Sequence, residues 1–294
     1  MSTVADWVAI VNLQAGGRGR SEAVARRLRA AVSRVLVSEH PGHVAALVHS
    51  CRDATGIVVA GGDGTLFEVL QACDRSRQKI VLVPAGRGNS LAKDLGIPPD
   101  CDPLDTIQRG VDRAVDVLGV EVIDVDGTGW NGVSASNLAI GYPASVAREA
   151  VRWRRFGAGS YAIGALTAAI EPLNVRMRCD DGMEESSELT GLVISNSRYV
   201  GPFLGFPSSN LFDGVCHVLE MRAGKIRQTV HNVSSLSGVG FYNPGRQRDV
   251  RSISVLLDRA TLLKIDGELR SGLREIHLRV EPAAITFRVP AADV

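Results

Sequence analysis

"VVAGGDGTLFEVL", Val58 to Leu70, runs from a β-type apolar segment through Gly-Gly-Asp-Gly-Thr into a helical pattern. The residues before the glycines suit a strand buried on both faces, and Leu66, Val69, Leu70 and Cys73 recur at helical spacing after them. Glycines at such a junction let the backbone turn tightly and approach a ligand, because no Cβ stands in the way. The helix that follows offers unpaired N–H groups and the positive end of its dipole, which suit phosphate oxygens. Asp63 would repel a bare phosphate, so it points to Mg2+ or a hydroxyl proton nearby. Taken alone, a tight turn with Asp63 as a helix cap is the simpler reading.

The pattern repeats on either side. "DWVAIVNL" reads as a buried strand, "QAGGRGR" as a glycine-rich loop, and a helix follows from about Ser21, a suitable N-cap. "RVLVS" and "GHVAALVHSC" read as a strand and a helix, and "KIVLVPAG" as a fourth strand. Strand-helix alternation with short loops predicts an α/β parallel sheet. Three glycine-bearing loops, at 12–20, 61–65 and 84–90, each follow a strand. Ligands in open α/β sheets sit outside the carboxyl ends of the strands, so three convergent loops predict a polyphosphate site. It is not a Walker-type loop, since no G-K-[ST] follows, nor a dinucleotide fingerprint.

After about Gly119 the texture changes. "LTGLVISNS", "GVCHVLEM", "RSISVLLD", "ATLLKIDGE" and "EIHLRVE" are short, β-branched and bounded by turns, with two helical patches, "PASVAREAVRWRR" and "GSYAIGALTAAIEP". The second half therefore reads as mainly antiparallel β and sandwich-like. The expected division is an α/β domain over 1–118, with the tail 281–294 packed back on it, and a β-rich domain over 119–280.

Bulk properties set the class. The chain has 294 residues, 45% of them hydrophobic, and a formal net charge of +1, so no global field draws it to nucleic acid or to an anionic membrane. Five scattered cysteines without C-x-x-C spacing argue against a disulfide framework or structural zinc, and for a reducing compartment. The first residues lack the order of a signal peptide, and the longest apolar run is too short to span a bilayer. A cytoplasmic protein that meets membranes only at their surface is expected.

The motifs resemble a known family. "GGDGTLFEVL" followed by "VPAGRGNSLAKDLGIP" is similar to the diacylglycerol kinase catalytic domain shared by bacterial lipid kinases, sphingosine kinases and ceramide kinases. "NLAIGYPASV", "ISNSRYVGPFLGFPSSNLFDGVCHVLEM" and "KIDGE" extend the likeness along almost the whole chain. The resemblance implies an ATP- and Mg2+-dependent lipid kinase acting on a diacylglycerol- or sphingoid-like hydroxyl, with ATP in a cleft between two domains. It places ATP against Asn12, Gly16, Gly17, Ser38, the run Gly61, Gly62, Asp63, Gly64, Thr65, Leu66 and Phe67, and the loop Gly86, Arg87, Gly88 and Asn89. It assigns the proton acceptor to Asp266 and Glu268. Glu268 is expected to accept with Asp266 as partner, or with the roles exchanged, since carboxylates flanking one glycine can point the same way along an extended chain; from the residues alone, a β-turn "IDGE" joining two strands, with both carboxylates solvated, is the preferred reading. Asp213, with the carbonyls of Asn210 and Val215, matches a structural Mg2+ site in some bacterial members, and a plain Asp-Gly turn is an equal reading. Arg148, Arg152, Arg154 and Arg155 around Trp153 form the one local basic cluster, either an anionic-lipid contact or a solvated helix face. A homodimer is compatible with all of this.

The chain departs from the family in the third loop, where G-T-x-N-D is common. Here Arg87 stands for the threonine and Ser90 for the aspartate. The first loop lacks the usual proline. A kinase of a soluble acceptor resembling NAD kinases, or a nucleotide- or lipid-binding relative without activity, are the competing readings.

Overall fold

The computed structural model describes residues 6–15, 18–29, 32–40, 42–86, 88–157, 159–180, 182–200, 204–222 and 245–291. The chain divides into two compact units, one of residues 1–116 with 282–294, the other of 117–281.

The first unit is an α/β sheet. Its strands are β1 (Trp7–Asn12), β2 (Arg34–Ser38), β3 (Gly56–Gly61) and β4 (Lys79–Pro84), joined by helices α1 (Arg18–Leu28), α2 (His43–His49) and α3 (Asp63–Ala72). All pair in parallel, in the order β4-β3-β1-β2. The end of β16 (Glu268–Val289) adds beside β4, also parallel, with Phe287 opposite Ile80. β1 and β3 are buried almost throughout, because helices cover both faces. On one face Trp7, Ala9, Val11, Val58 and Val81 pack with Leu28 of α1, and on the other Val8 meets Cys51 and Ala54. Helices α4 (Ser90–Asp94) and α5 (Pro103–Arg109) follow β4. Helix α1 begins at Arg18, so Ser21 lies within it rather than at its N-cap. At the carboxyl end of α5, Arg288 donates from Nε to the carbonyls of Thr106 and Ile107.

The second unit is an antiparallel sheet. Strands β7 (Asn137–Gly141), β10 (Gly191–Ser195), β13 (Cys216–Met221), β14 (Gly245–Val250) and β15 (Ser252–Ile265) run in the order β14-β13-β10-β7-β15, and β15 then pairs with β16. "RSISVLLD" and "ATLLKIDGE" form one strand, β15, with register shifts between Leu256 and Leu263 where two separate strands are expected from sequence. Side hairpins come from β5 (Val111–Asp124) with β6 (Gly129–Ser134), and β8 (Leu173–Cys179) with β9 (Glu185–Leu189). Helices α6 (Tyr142–Arg152) and α7 (Gly159–Thr167) are joined through a short 3-10 turn, Arg154–Phe156. Tyr142 and Ala144 of α6 pack with Val193, Phe206 and Leu219 as the core beneath the sheet. The five cysteines are all free thiols, and among the described residues no helix is long and apolar enough to cross a membrane.

Candidate nucleotide site and acidic turn

Parallel pairing brings three strand ends to one edge of the first unit. Asn12 lies opposite Ser38 in register, and Gly61 opposite Pro84. From the end of β1, Asn12 donates from Nδ2 to Thr65 Oγ at 3.0 Å, while its Oδ1 accepts the amide of Gln14 at 2.9 Å. Thr65 is buried, so this bond fixes the first loop against the start of α3. Ser38 is buried as well, with its hydroxyl on the His40 carbonyl at 3.3 Å.

The second and third loops touch through their backbones. The Ala85 amide donates to the Gly61 carbonyl at 2.8 Å. A Cβ on Gly86 would fall 2.5 Å from the Cα of Gly62, so the two strands of backbone pass where no side chain fits. Asn89, at φ 50, closes the third loop on itself: its Nδ2 donates to the Gly86 carbonyl at 2.8 Å and its Oδ1 accepts the Gly86 amide at 3.0 Å. Asp63 joins the loops by accepting the Ser90 amide on Oδ1 at 2.9 Å. Its Oδ2 lies against Gly88, where a Cβ would meet it at 2.6 Å. Asp63 therefore caps α4 across loops rather than capping its own helix.

Helix α3 has Gly62 as its N-cap, with no side-chain cap hydrogen bond. The amides of its first turn have no carbonyl four residues earlier inside the helix. A small depression beside this turn is lined by Gly61, Gly62, Asp63 and Asn89 together with the apolar Val59, Leu66, Leu82 and Val83. Free amides at a helix start are donors of the kind that suits phosphate oxygens. Leu66 and Phe67 are buried and serve the core beneath the loop. Gly16, Gly17 and Arg87 lie outside the described residues.

In the second unit, Asp266 and Gly267 form a two-residue connection between β15 and β16, with Ile265 paired to Glu268. The backbone turns there, with Asp266 at φ 46, as the β-turn reading of "IDGE" expects, but only one of its two carboxylates is solvated. Asp266 is 6% exposed and faces the protein, whereas Glu268 is exposed. Asp266 Oδ1 accepts Ser134 Oγ at 2.7 Å and the amides of Ser136 and Asn137 at 3.0 Å each, and Oδ2 accepts the Ala135 amide at 3.1 Å. Its own amide returns to the Asn137 carbonyl at 2.8 Å, and Lys264 Nζ donates to Asn137 Oδ1 at 2.9 Å. Burial pushes the Asp266 pKa up, against the pull of the Ser134 hydroxyl, the backbone amides and the Lys264 charge. Ser134, Ser136, Asn137 and Lys264 are not among the residues expected from sequence. The signal for the first three is a small polar run, "SASN", ahead of the apolar "LAI".

Asn210 and Asp213 are exposed, and Asp213 Oδ1 accepts the amide of Val215 at 3.1 Å, with Gly214 at φ 72. This is an aspartate turn. Among the described residues no group of three or more His, Cys, Asp or Glu side chains comes together.

Comparison with known proteins agrees with this architecture. Residues 6–120 match the family model of the diacylglycerol kinase catalytic domain. A diacylglycerol kinase of Mycobacterium tuberculosis is 29% identical over 181 residues, 60% of this chain and 57% of that protein, so the match spans little more than half of the relative's length. A Xanthomonas oryzae protein named "Probable lipid kinase YegS-like" is 24% identical, over 80% of this chain and 78% of its own. Among solved structures, a diacylglycerol kinase from Bacillus anthracis superposes with a TM-score of 0.78 at 18% identity, covering 100% of both chains. An NAD kinase from Archaeoglobus fulgidus in complex with ATP reaches a TM-score of 0.54 at 15% identity, over 96% of this chain and 93% of its own. At these identities the structural likenesses establish the fold. The family resemblance read from the motifs is borne out.

Proposed function

We propose that the protein is an ATP- and Mg2+-dependent lipid kinase, transferring the γ-phosphoryl group to a hydroxyl of a diacylglycerol- or sphingoid-like lipid. The observation that carries this reading is the backbone cradle in which Gly62 and Gly86 leave room for one another and α3 begins without a side-chain cap. The match of residues 6–120 to the diacylglycerol kinase catalytic-domain model supports the chemistry. ATP supplies the phosphoryl group when bound, with Mg2+ neutralising charge on its oxygens.

The chain's own part is positioning. The first-turn amides of α3 and the loop closed by Asn89 would hold phosphate oxygens. Asn12 keeps Thr65 in place beside them. Asp63 offers one carboxylate to a hard cation, and Mg2+ commonly takes one or two carboxylates plus phosphate oxygens and water. Asp213 with the Asn210 and Val215 carbonyls is a donor set of the same hard-oxygen type, and would serve to stiffen its turn.

Glu268, exposed at the start of β16, would accept the proton of the attacking hydroxyl. Asp266 would act through it, since its oxygens hold the 134–137 segment and so fix the turn that presents Glu268. Transfer of label from γ-labelled ATP to diacylglycerol, sphingoid base, ceramide, phosphatidylglycerol and NAD tests the proposal. A labelled lipid, dependence on Mg2+, and at least a hundredfold loss in a folded Glu268→Gln variant are expected. Label on NAD alone, or ATP binding with no turnover on any acceptor, would overturn it.

A further inference from the structure

The corner between α6 and α7 carries apolar side chains at the surface of the second unit. Val151 is 53% and Phe156 50% exposed, although large apolar residues elsewhere in that unit are mostly buried. Arg155 stacks over both neighbouring rings, its guanidinium 4.9 Å from the Phe156 centroid and 5.7 Å from that of Trp153. The two rings are 5.9 Å apart and tilted. Arg152, at the last turn of α6, has a side chain 76% exposed. Glu149, the one acidic residue in the sequence 148–156, lies beside Arg148 and Arg152, at 3.9 and 3.5 Å, so this stretch is net basic. Leu166 of α7, also exposed, belongs elsewhere: the Ala165 carbonyl beside it takes the hydroxyl of Tyr142, at the opposite end of α6.

Exposed apolar tips ringed by arginine, with an aromatic pair between them, are the composition of an interfacial contact. Tryptophan and phenylalanine settle at the boundary between headgroups and acyl chains, and arginine reaches the phosphates above it. We propose that this corner docks the protein on an anionic lipid surface. Phe156 and Val151 enter the acyl boundary while Arg152 and Arg155 meet headgroup phosphates. The proposal deepens the lipid-kinase reading, on which it rests for the claim that the acceptor lies in the same surface.

Sedimentation of the full chain with vesicles tests it, using phosphatidylglycerol mixed into phosphatidylcholine against phosphatidylcholine alone. Binding is expected only with the anionic vesicles and to weaken with salt. Arg152→Gln with Arg155→Gln should lower it tenfold or more, at about fivefold for each charge removed. Phe156→Ala should lower it about tenfold, through the lost apolar contact. Wild-type binding indifferent to lipid charge, or variants that sediment as well as the wild type, would overturn the proposal. So would light scattering that finds a dimer in the wild type and a monomer in Phe156→Ala, which would make a second copy the occupant. Phosphorylation of a short-chain diacylglycerol kept monomeric in solution separates the two claims. If vesicle binding follows the expected pattern but neither that lipid nor a short-chain sphingoid base is ever phosphorylated, the kinase reading fails and the docking surface stands; if either is phosphorylated while the vesicle results fail, the reverse holds.

Discussion

Removing the Asp266 carboxylate should damage the fold in a graded way that its bonds allow to be ranked. Oδ1 serves three donors, Ser134 Oγ, Ser136 N and Asn137 N, while Oδ2 serves the Ala135 amide alone. In Asp266→Asn the amide oxygen can keep the three-donor side, but its NH2 then faces the Ala135 N–H. One charge-assisted bond is lost and the other three now end on a neutral acceptor, a cost of about 2–4 kcal/mol. Asp266→Ala strands all four buried donors, at about 3–5 kcal/mol by analogy with breaking a buried charged pair. Alanine at φ 46 adds about 1 kcal/mol of left-handed backbone strain. Ser134→Ala removes one bond and should cost about 1–2 kcal/mol. Urea unfolding of the full chain, followed by circular dichroism, gives the ranking: Ser134→Ala mildest, then Asp266→Asn, then Asp266→Ala. An Asp266→Ala protein within about 1 kcal/mol of wild type would refute the claim that this carboxylate organises the 134–137 segment.

Two more outcomes are expected. Gly86→Ala places a Cβ 2.5 Å from the Gly62 Cα and 2.8 Å from Asn89 Oδ1, so ATP affinity measured by calorimetry should fall about tenfold or more, at an added cost of about 1.4 kcal/mol. Glu185 is held down to about 2, first by its hydrogen bond to Arg248 and then by that residue's charge. Its folded pKa is depressed, so the stability it contributes is full above its ordinary 4.5 and is lost as pH falls toward about 2. Arg248→Gln should shrink that acid-side loss in unfolding curves recorded across this window, and an unchanged pH profile would contradict the pairing.

The parallel half was legible because its strands are continuous apolar runs ended by glycine, and both features come from burial between helices. β15 was not, because "DRAT" in its middle reads as a loop. The exposed Asp258 and Arg259 sit where the register shifts, and the strand carries on past them. β5 was missed for a related reason: its first four residues are exposed and only the stretch after them is buried. At the nucleotide edge, the glycines signal close backbone approach, but the reach of Asp63 to the Ser90 amide depends on loops 27 residues apart meeting. A local reading could see only a metal ligand or a helix cap. In "KIDGE" both carboxylates look equivalent along the chain, and only the buried "SASN" segment tells Asp266 from Glu268.

The central claim, that the loops ending β1, β3 and β4 hold a triphosphate, is tested most directly by amide hydrogen exchange of the full chain with and without Mg2+ and ATP. Slowed exchange confined to peptides covering 12–15, 61–67 and 85–90 is the predicted result. Protection elsewhere with these peptides unchanged, at ATP concentrations that saturate binding, would contradict it.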